Sequence, residues 1–254
     1  MYKPLGSERV RYRLPKHPHL PLAAIATQPL PWAVDFRARI RSGFVPTTLW
    51  TTLLTGLFFV GYLFVQRHPA YTPMTMPRTG LDLMIPFQPI ALLAYVSIWI
   101  YVGVGPGLQR TRAEFAAYGI WLGAMCVMGL AIFYFWPTQV PVRALEATGF
   151  PGFGALRRVD EAGNACPSMH VAVAIFTALR IGDVLRSIRA PVGMRLLNVA
   201  WFAVIVYSTL ATKQHVVLDV IAGALLGAIF ALMSLRWRPG LPREPAFAEL
   251  ALPP

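Results

Sequence analysis

Apolar residues fall in long continuous runs along this chain rather than in an alternating pattern. No charged residue occurs from 47 to 65, between Asp82 and Arg110, or between Glu114 and Arg143. Three further apolar stretches follow at about 169–184, 196–212 and 216–235. A bilayer core takes roughly 20 helical residues, and a segment inside it must satisfy its own backbone as a helix or a closed barrel. Barrel strands alternate in polarity; these runs do not, so they predict helices. The expected fold is an all-α membrane protein, a helical bundle of six transmembrane helices. Its expected organisation is a basic, proline-rich cytoplasmic or interfacial segment over 1–46, a six-helix transmembrane domain over 47–235, and a cytoplasmic tail over 236–254.

Composition agrees: 56% of the residues are hydrophobic, 13% are charged, and the mean hydropathy is +0.53. A soluble domain carries roughly 25% charged residues. The fourth run is the least apolar, because Arg180 and Asp183 lie three apart in its second half. There the arginine is expected to snorkel toward the interface.

The net charge of +12 could suggest nucleic acid, but its distribution points elsewhere. With six spans, sixteen cations fall on the side of the two termini. Only Arg67, Arg78, Arg143, Arg157, Arg158 and Lys213 fall opposite, Arg180 left out. This is the positive-inside asymmetry, so both termini are expected in the cytoplasm, no nucleic-acid partner is expected, and the basic excess serves topology and anionic lipid. The first 46 residues lack a clean apolar leader core, which predicts an uncleaved anchor. The stretch "PLPWAVDFRARIR" within them is a candidate to lie along the interface. Cys126 falls mid-span and Cys166 at a membrane edge, so no disulfide is expected.

Three of the five histidines, His17, His19 and His68, lie in flanks or loops and read as solvated. The other two, His170 and His215, open the fourth and sixth runs, which six spans place on the same extracytoplasmic side. His215 and Asp219 share a helix face at i, i+4. Gly223 and Gly227 continue that face as a smooth strip for close helix approach. An inward-facing Asp about one turn into a span points to a functional site, although helix-end donors could also satisfy it. "CPSMH" at 166–170 puts Ser168 and the amides near Met169 at a helix start, where free N–H groups attract anions. Two histidines, a carboxylate, a hydroxyl and several cations at one depth suit phosphate chemistry.

These motifs resemble the type 2 phosphatidic acid phosphatase and vanadium haloperoxidase superfamily. Its pattern is K-x6-R-P, then P-S-G-H, then S-R-x5-H-x3-D. The second motif is matched by Pro167, Ser168, Met169 and His170, with Met169 in place of glycine. The third is matched by Ser208, Thr209, His215 and Asp219 at the family spacing, with Thr209 in place of arginine. The first is degraded to "FWPTQVPVR": Arg143 can stand for its arginine, while Trp136 and Ala144 replace its lysine and proline. The likeness is to the bacterial integral-membrane branch, and similar thinning occurs in inositol phosphorylceramide synthase-type members, which are transferases.

The resemblance implies a metal-independent lipid phosphatase without a cofactor, working through a phosphohistidine intermediate. His215 would be the nucleophile, Asp219 its orienting partner and His170 the general acid and then base. Ser168, Met169, Lys213 and Arg143 would bind phosphate, and Arg157 and Arg158 the headgroup. The alternatives are a lipid phosphotransferase and an inactive scaffold or transporter. A zinc site from His170, His215 and Asp219 has suitable ligand types, but the loop cations and the family precedent weigh against it. The expected partners are a lipid phosphate substrate and the bilayer of the bacterial inner membrane, with the active site extracytoplasmic.

Overall fold

The computed structural model describes residues 31–141 and 163–236, and at Pro31 and within 41–48 it describes the backbone alone. In chain order its elements are α1 (Pro31–Arg67), β1 (Met74–Thr75), α2 (Gly80–Met84), α3 (Ala91–Val96), α4 (Ile98–Gly107) and α5 (Arg112–Phe135). They continue with β2 (Thr138–Gln139), α6 (Met169–Ser187), α7 (Val192–Ala211) and α8 (Val217–Arg236). Four helical segments are long and apolar enough to cross a bilayer: Leu49–Arg67, Arg112–Phe135, Val192–Ala211 and Val217–Arg236. The protein is therefore a mostly helical integral membrane protein.

The other two expected spans take a different form. Pro86 and Pro89 cannot donate to a helix, and the second run breaks there into the short helices α2, α3 and α4. Its longest apolar helical stretch, Ala91–Gly107, is shorter than the four spans. The fourth run is a single helix, α6, of 19 residues, but it is absent from the four apolar spans. It packs against α8, α7, α4 and α5 at the centre of the bundle. A helix enclosed by others does not need to be lipid-like on every face.

Two apolar clusters lie on opposite sides of α6. One joins Tyr62 of α1, Tyr118, Met125 and Phe133 of α5, Met169, Ala172 and Phe176 of α6, and Ala231 of α8. The other joins Ile98 and Tyr101 of α4, Ile181, Val184 and Leu185 of α6, and Ile205 of α7. Lipid tails are as apolar as leucine, so close approach and polar contacts matter more than burial between such helices. Asn198 supplies one such contact, accepting from Tyr101 Oη at 2.8 Å and donating to the Ala178 carbonyl at 3.0 Å.

Arg180 does not snorkel. It is buried, donates to Gln109 Oε1 at 2.9 Å, and lies 5.7 Å over the Tyr118 ring. Gln109, just past the end of α4, and Tyr118 of α5 thus hold a cation that the sequence pattern assigns to the interface. From Pro31 on, the stretch expected to lie along the interface is continuous with the first span, in a helix of 37 residues. Its Arg39 docks on the end of α4, donating to the Leu108 carbonyl at 3.1 Å.

One end of the bundle collects the ends of α1, α5 and α7 and the starts of α6 and α8. Here β1 and β2 pair in parallel, Met74 with Thr138 and Thr75 with Gln139. Met76, Val140, Ala165 and Val216 form a small apolar cluster against Cys166. It brings the loops that carry both recognisable motifs under one cover.

Candidate active site

The site begins with two helix starts. Ser168 is the N-cap of α6: its hydroxyl accepts the Val171 amide at 3.3 Å. That satisfies one of the amides left unpaired at any helix start. Ser168 is fully buried, and its own amide donates to the Asp219 carbonyl at 3.0 Å. Hence the two motifs are joined backbone to backbone. A cis peptide joins Cys166 to Pro167 just before this cap. The Met169 side chain is buried against Gly129, so the family glycine's place is filled by a core contact.

The glycine strip on α8 makes the join possible. A Cβ on Gly223 would collide with the Ser168 carbonyl oxygen, and one on Gly227 with that of Ala172. Only a hydrogen in place of the side chain lets the helices approach this closely.

The turn before α8 sets His215. Lys213 takes the left-handed conformation, φ 59°, at the end of α7. This allows both the Gln214 and the His215 amides to donate to the Thr209 carbonyl, at 3.1 and 3.2 Å. Such a reversal is a common helix ending, and it delivers His215 directly to the start of the next helix. Thr209, standing where the family has arginine, bonds the Val206 carbonyl with its hydroxyl and is buried.

His215 Nδ1 lies 3.6 Å from Asp219 Oδ2, within ion-pair range. The same oxygen accepts the Val216 amide at 3.1 Å, so Asp219 also caps its own helix. Asp219 is fully buried, and its other oxygen has no hydrogen-bond partner among the described residues. Buried polar atoms are nearly always paired, so this second carboxylate oxygen, turned away from the Val216 amide, stands out in the site. The His170 ring lies 5.7 Å from that of His215, at 58° between planes. Behind His170 stands Tyr95, with its Oη 3.4 Å from Nδ1.

The cations divide. Lys213 Nζ donates to the Asp82 carbonyl at 2.9 Å and also to the Ile85 carbonyl. Its ammonium is pushed below the usual lysine range by burial, opposed by the Asp82 carboxylate and reinforced by Arg78. Arg78 is exposed and close enough to act on that charge. Cys166, in the loop between the motifs, has its thiol pushed up to about 11 by burial and by the negative charge of Asp219. Arg143, Arg157 and Arg158 lie outside the described residues.

The structure thus brings together His170, His215, Asp219, Ser168 and Met169, and sets Lys213 beside them with its ammonium turned to α2. Sequence reasoning missed Arg78, Asp82, Tyr95 and Trp99. Asp82 had a visible signal in "TGLD", a Thr followed by an Asp at the third position, which is capping-box spacing. Among the described residues no three His, Cys, Asp or Glu side chains converge as a metal-ligand set, so the zinc reading gains no geometric support.

Two helix starts thus hold a pair of histidines and a buried carboxylate at one end of a membrane bundle. A sequence profile of the PAP2 superfamily, that of the type 2 phosphatidic acid phosphatases, matches residues 87–233, more than half of the chain, and the protein belongs to that superfamily. Its members are phosphatases or related phosphotransferases. Neither the curated proteins nor the solved structures contain a match to the chain.

Proposed function

We propose that the protein is a lipid phosphatase that hydrolyses a lipid phosphate monoester or diphosphate through a phosphohistidine. In this reading six passes cross a bacterial inner membrane, both termini are cytoplasmic, and the site faces the extracytoplasmic side. The observation that carries it is the His215–Asp219 pair, 3.6 Å apart, with the His170 ring 5.7 Å from that of His215.

His215 Nδ1 faces the carboxylate, so Nε2 is the attacking nitrogen. As the P–N bond forms, the imidazole becomes cationic, and Asp219 stabilises it and holds its tautomer. His170 protonates the leaving lipid alkoxide and then takes a proton from the attacking water. The second step forms a P–O bond, breaks the P–N bond and returns His215 to its neutral state. Amides at the start of α6, with Arg78 and the loop cations Arg143, Arg157 and Arg158, supply positive charge to the phosphoryl oxygens and the headgroup. A lipid phosphate sits at headgroup depth, level with a site built from helix starts.

Thr209 in place of an arginine fork favours one second reading, transfer of the phosphoryl headgroup to an alcohol as in inositol phosphorylceramide synthase-type members. A panel of lipid phosphates offered to the purified protein, with and without polyol acceptors, separates the two. Free phosphate without an acceptor supports hydrolysis; a new phosphate ester of the acceptor, formed only when the acceptor is present, supports transfer. His215→Asn should abolish either activity, and full turnover by that variant would exclude the histidine mechanism. Turnover that resists chelators is expected.

A further inference from the structure

His170 ends a recognisable motif, but two of the rings packed around it come from a part of the chain that carries no motif. Tyr95, in α3, precedes His170 by 75 residues and is 2% exposed. Its ring centroid lies 4.6 Å from that of His170, tilted by 34°, and its Oη is 3.4 Å from Nδ1. Trp99, one turn further on in α4, meets the imidazole edge-on at 6.5 Å. The His215 ring lies 5.7 Å from the same imidazole.

We infer that Tyr95 is a positioning residue for His170: its phenol engages Nδ1 and its ring face sets the imidazole plane, which makes Nε2 the nitrogen that serves the substrate. The inference rests on the phosphoryl-transfer reading above. In that reaction one nitrogen must first give a proton and later take one. With Nδ1–H donating to Tyr95 Oη, Nε2 does both. Starting from the imidazolium, protonated at both nitrogens, the Nε2 proton passes to the leaving oxygen as the P–O bond breaks, leaving the neutral Nδ1–H form. Its lone pair then takes a proton from water as the new P–O bond forms and the P–N bond to His215 breaks. A neutral imidazole without this contact divides its population between two tautomers, and only one of them presents a basic Nε2. The 3.4 Å separation is long for a hydrogen bond, as is common in unliganded catalytic sites, which tighten around the reacting complex.

The test is Tyr95→Phe in the full chain, which keeps the ring and removes the oxygen. Its kcat on a lipid phosphate should fall about tenfold or more, while KM stays within about twofold because the lost contact matters in the reacting complex. A merely structural role would not touch the ring nitrogens, so the second readout is the 15N spectrum of histidine-labelled protein. His170 is identified there by the signals lost in His170→Asn. At alkaline pH, with the imidazole neutral, wild type should show a protonated Nδ1 and an imine-like Nε2; in Tyr95→Phe both should move toward tautomer-averaged positions. Unchanged ring-nitrogen shifts, or an unchanged kcat, would overturn the inference. If the wild type turned over no phosphate ester, the phosphoryl-transfer reading would fail, and the nitrogen spectrum would still decide the role of Tyr95.

Discussion

The Asp82 carboxylate, in α2, accepts the backbone N–H of Val217 at 2.8 Å, 135 residues further along the chain. Val217 is the first residue of α8, the helix that carries Asp219 and begins just after His215. The other Asp82 oxygen accepts both the amide and the hydroxyl of Thr79, at 2.6 and 2.8 Å. A five-residue helix in the first half of the chain thus anchors the start of the helix bearing the third motif.

Asp82→Ala should destabilise the protein by about 1–3 kcal/mol, the usual cost of losing a charged acceptor and stranding its donors. Asp82→Asn should lose less, since its amide oxygen can still accept one N–H. Thermal unfolding in detergent measures both. Equal midpoints for wild type and Asp82→Ala would remove the anchoring role.

Gly223→Ala and Gly227→Ala test the close approach of α6 and α8. The added methyl meets a backbone carbonyl in each case, and a carbonyl cannot rotate away as a side chain can. Each should cost about 1–3 kcal/mol by overpacking. Gly223→Ala should also reduce turnover more than Gly227→Ala, because the Ser168 carbonyl it pushes lies two residues from His170. Equal losses of turnover would separate the strip from the chemistry.

Lys213 and Arg78 should respond differently to removal. The Lys213 ammonium is held by two carbonyls of the α2 segment, so Lys213→Met should lower thermal stability. Arg78 is exposed, so Arg78→Ala should leave the unfolding midpoint unchanged and raise KM for an anionic lipid about threefold or more. Screening by salt should narrow that difference. A KM effect confined to Lys213→Met would reverse the assignment.

Cys166 gives a pH signature. Its thiol is held near 11, above the ordinary cysteine range, by burial first and the Asp219 charge second. Only the thiolate reacts, so in a Cys126→Ala background maleimide labelling should be slow at neutral pH and keep rising beyond pH 9. Asp219→Asn removes the second cause, lowers the thiol's pKa and should speed labelling at a given pH. A labelling rate that levels off near pH 8 would contradict this environment.

The site was legible where its chemistry is local. His215 and Asp219 are four apart on one helix, and a spacing of that kind survives without any knowledge of the fold. The glycine strip was legible for the same reason. Tyr95, Trp99 and Asp82 were not, because they reach the site only through the folding of α2, α3 and α4 against α6 and α8. The apolar pattern found α1, α5, α6, α7 and α8 but not the breaks in the second run, where two prolines outweigh hydropathy. Arg180 was misplaced because its partner Gln109 lies 71 residues away, and no window along the sequence contains both. Thr209 and Lys213 looked like a lost clamp and its substitute. In the fold they shape the turn that delivers His215.

Asp219 holds its place for reasons that do not involve His215. Its carboxylate caps α8 through the Val216 amide, and its carbonyl receives the Ser168 amide that ties α6 to α8. The second contact belongs to the backbone and survives any substitution, but a descendant that had abandoned catalysis would still lose the cap on the Val216 amide by discarding this aspartate, whereas nothing comparable would protect the imidazole at 215. An aspartate here is accordingly a poor badge of a working enzyme. In sorting living members from pseudoenzymes, the histidine four residues earlier is the position to read.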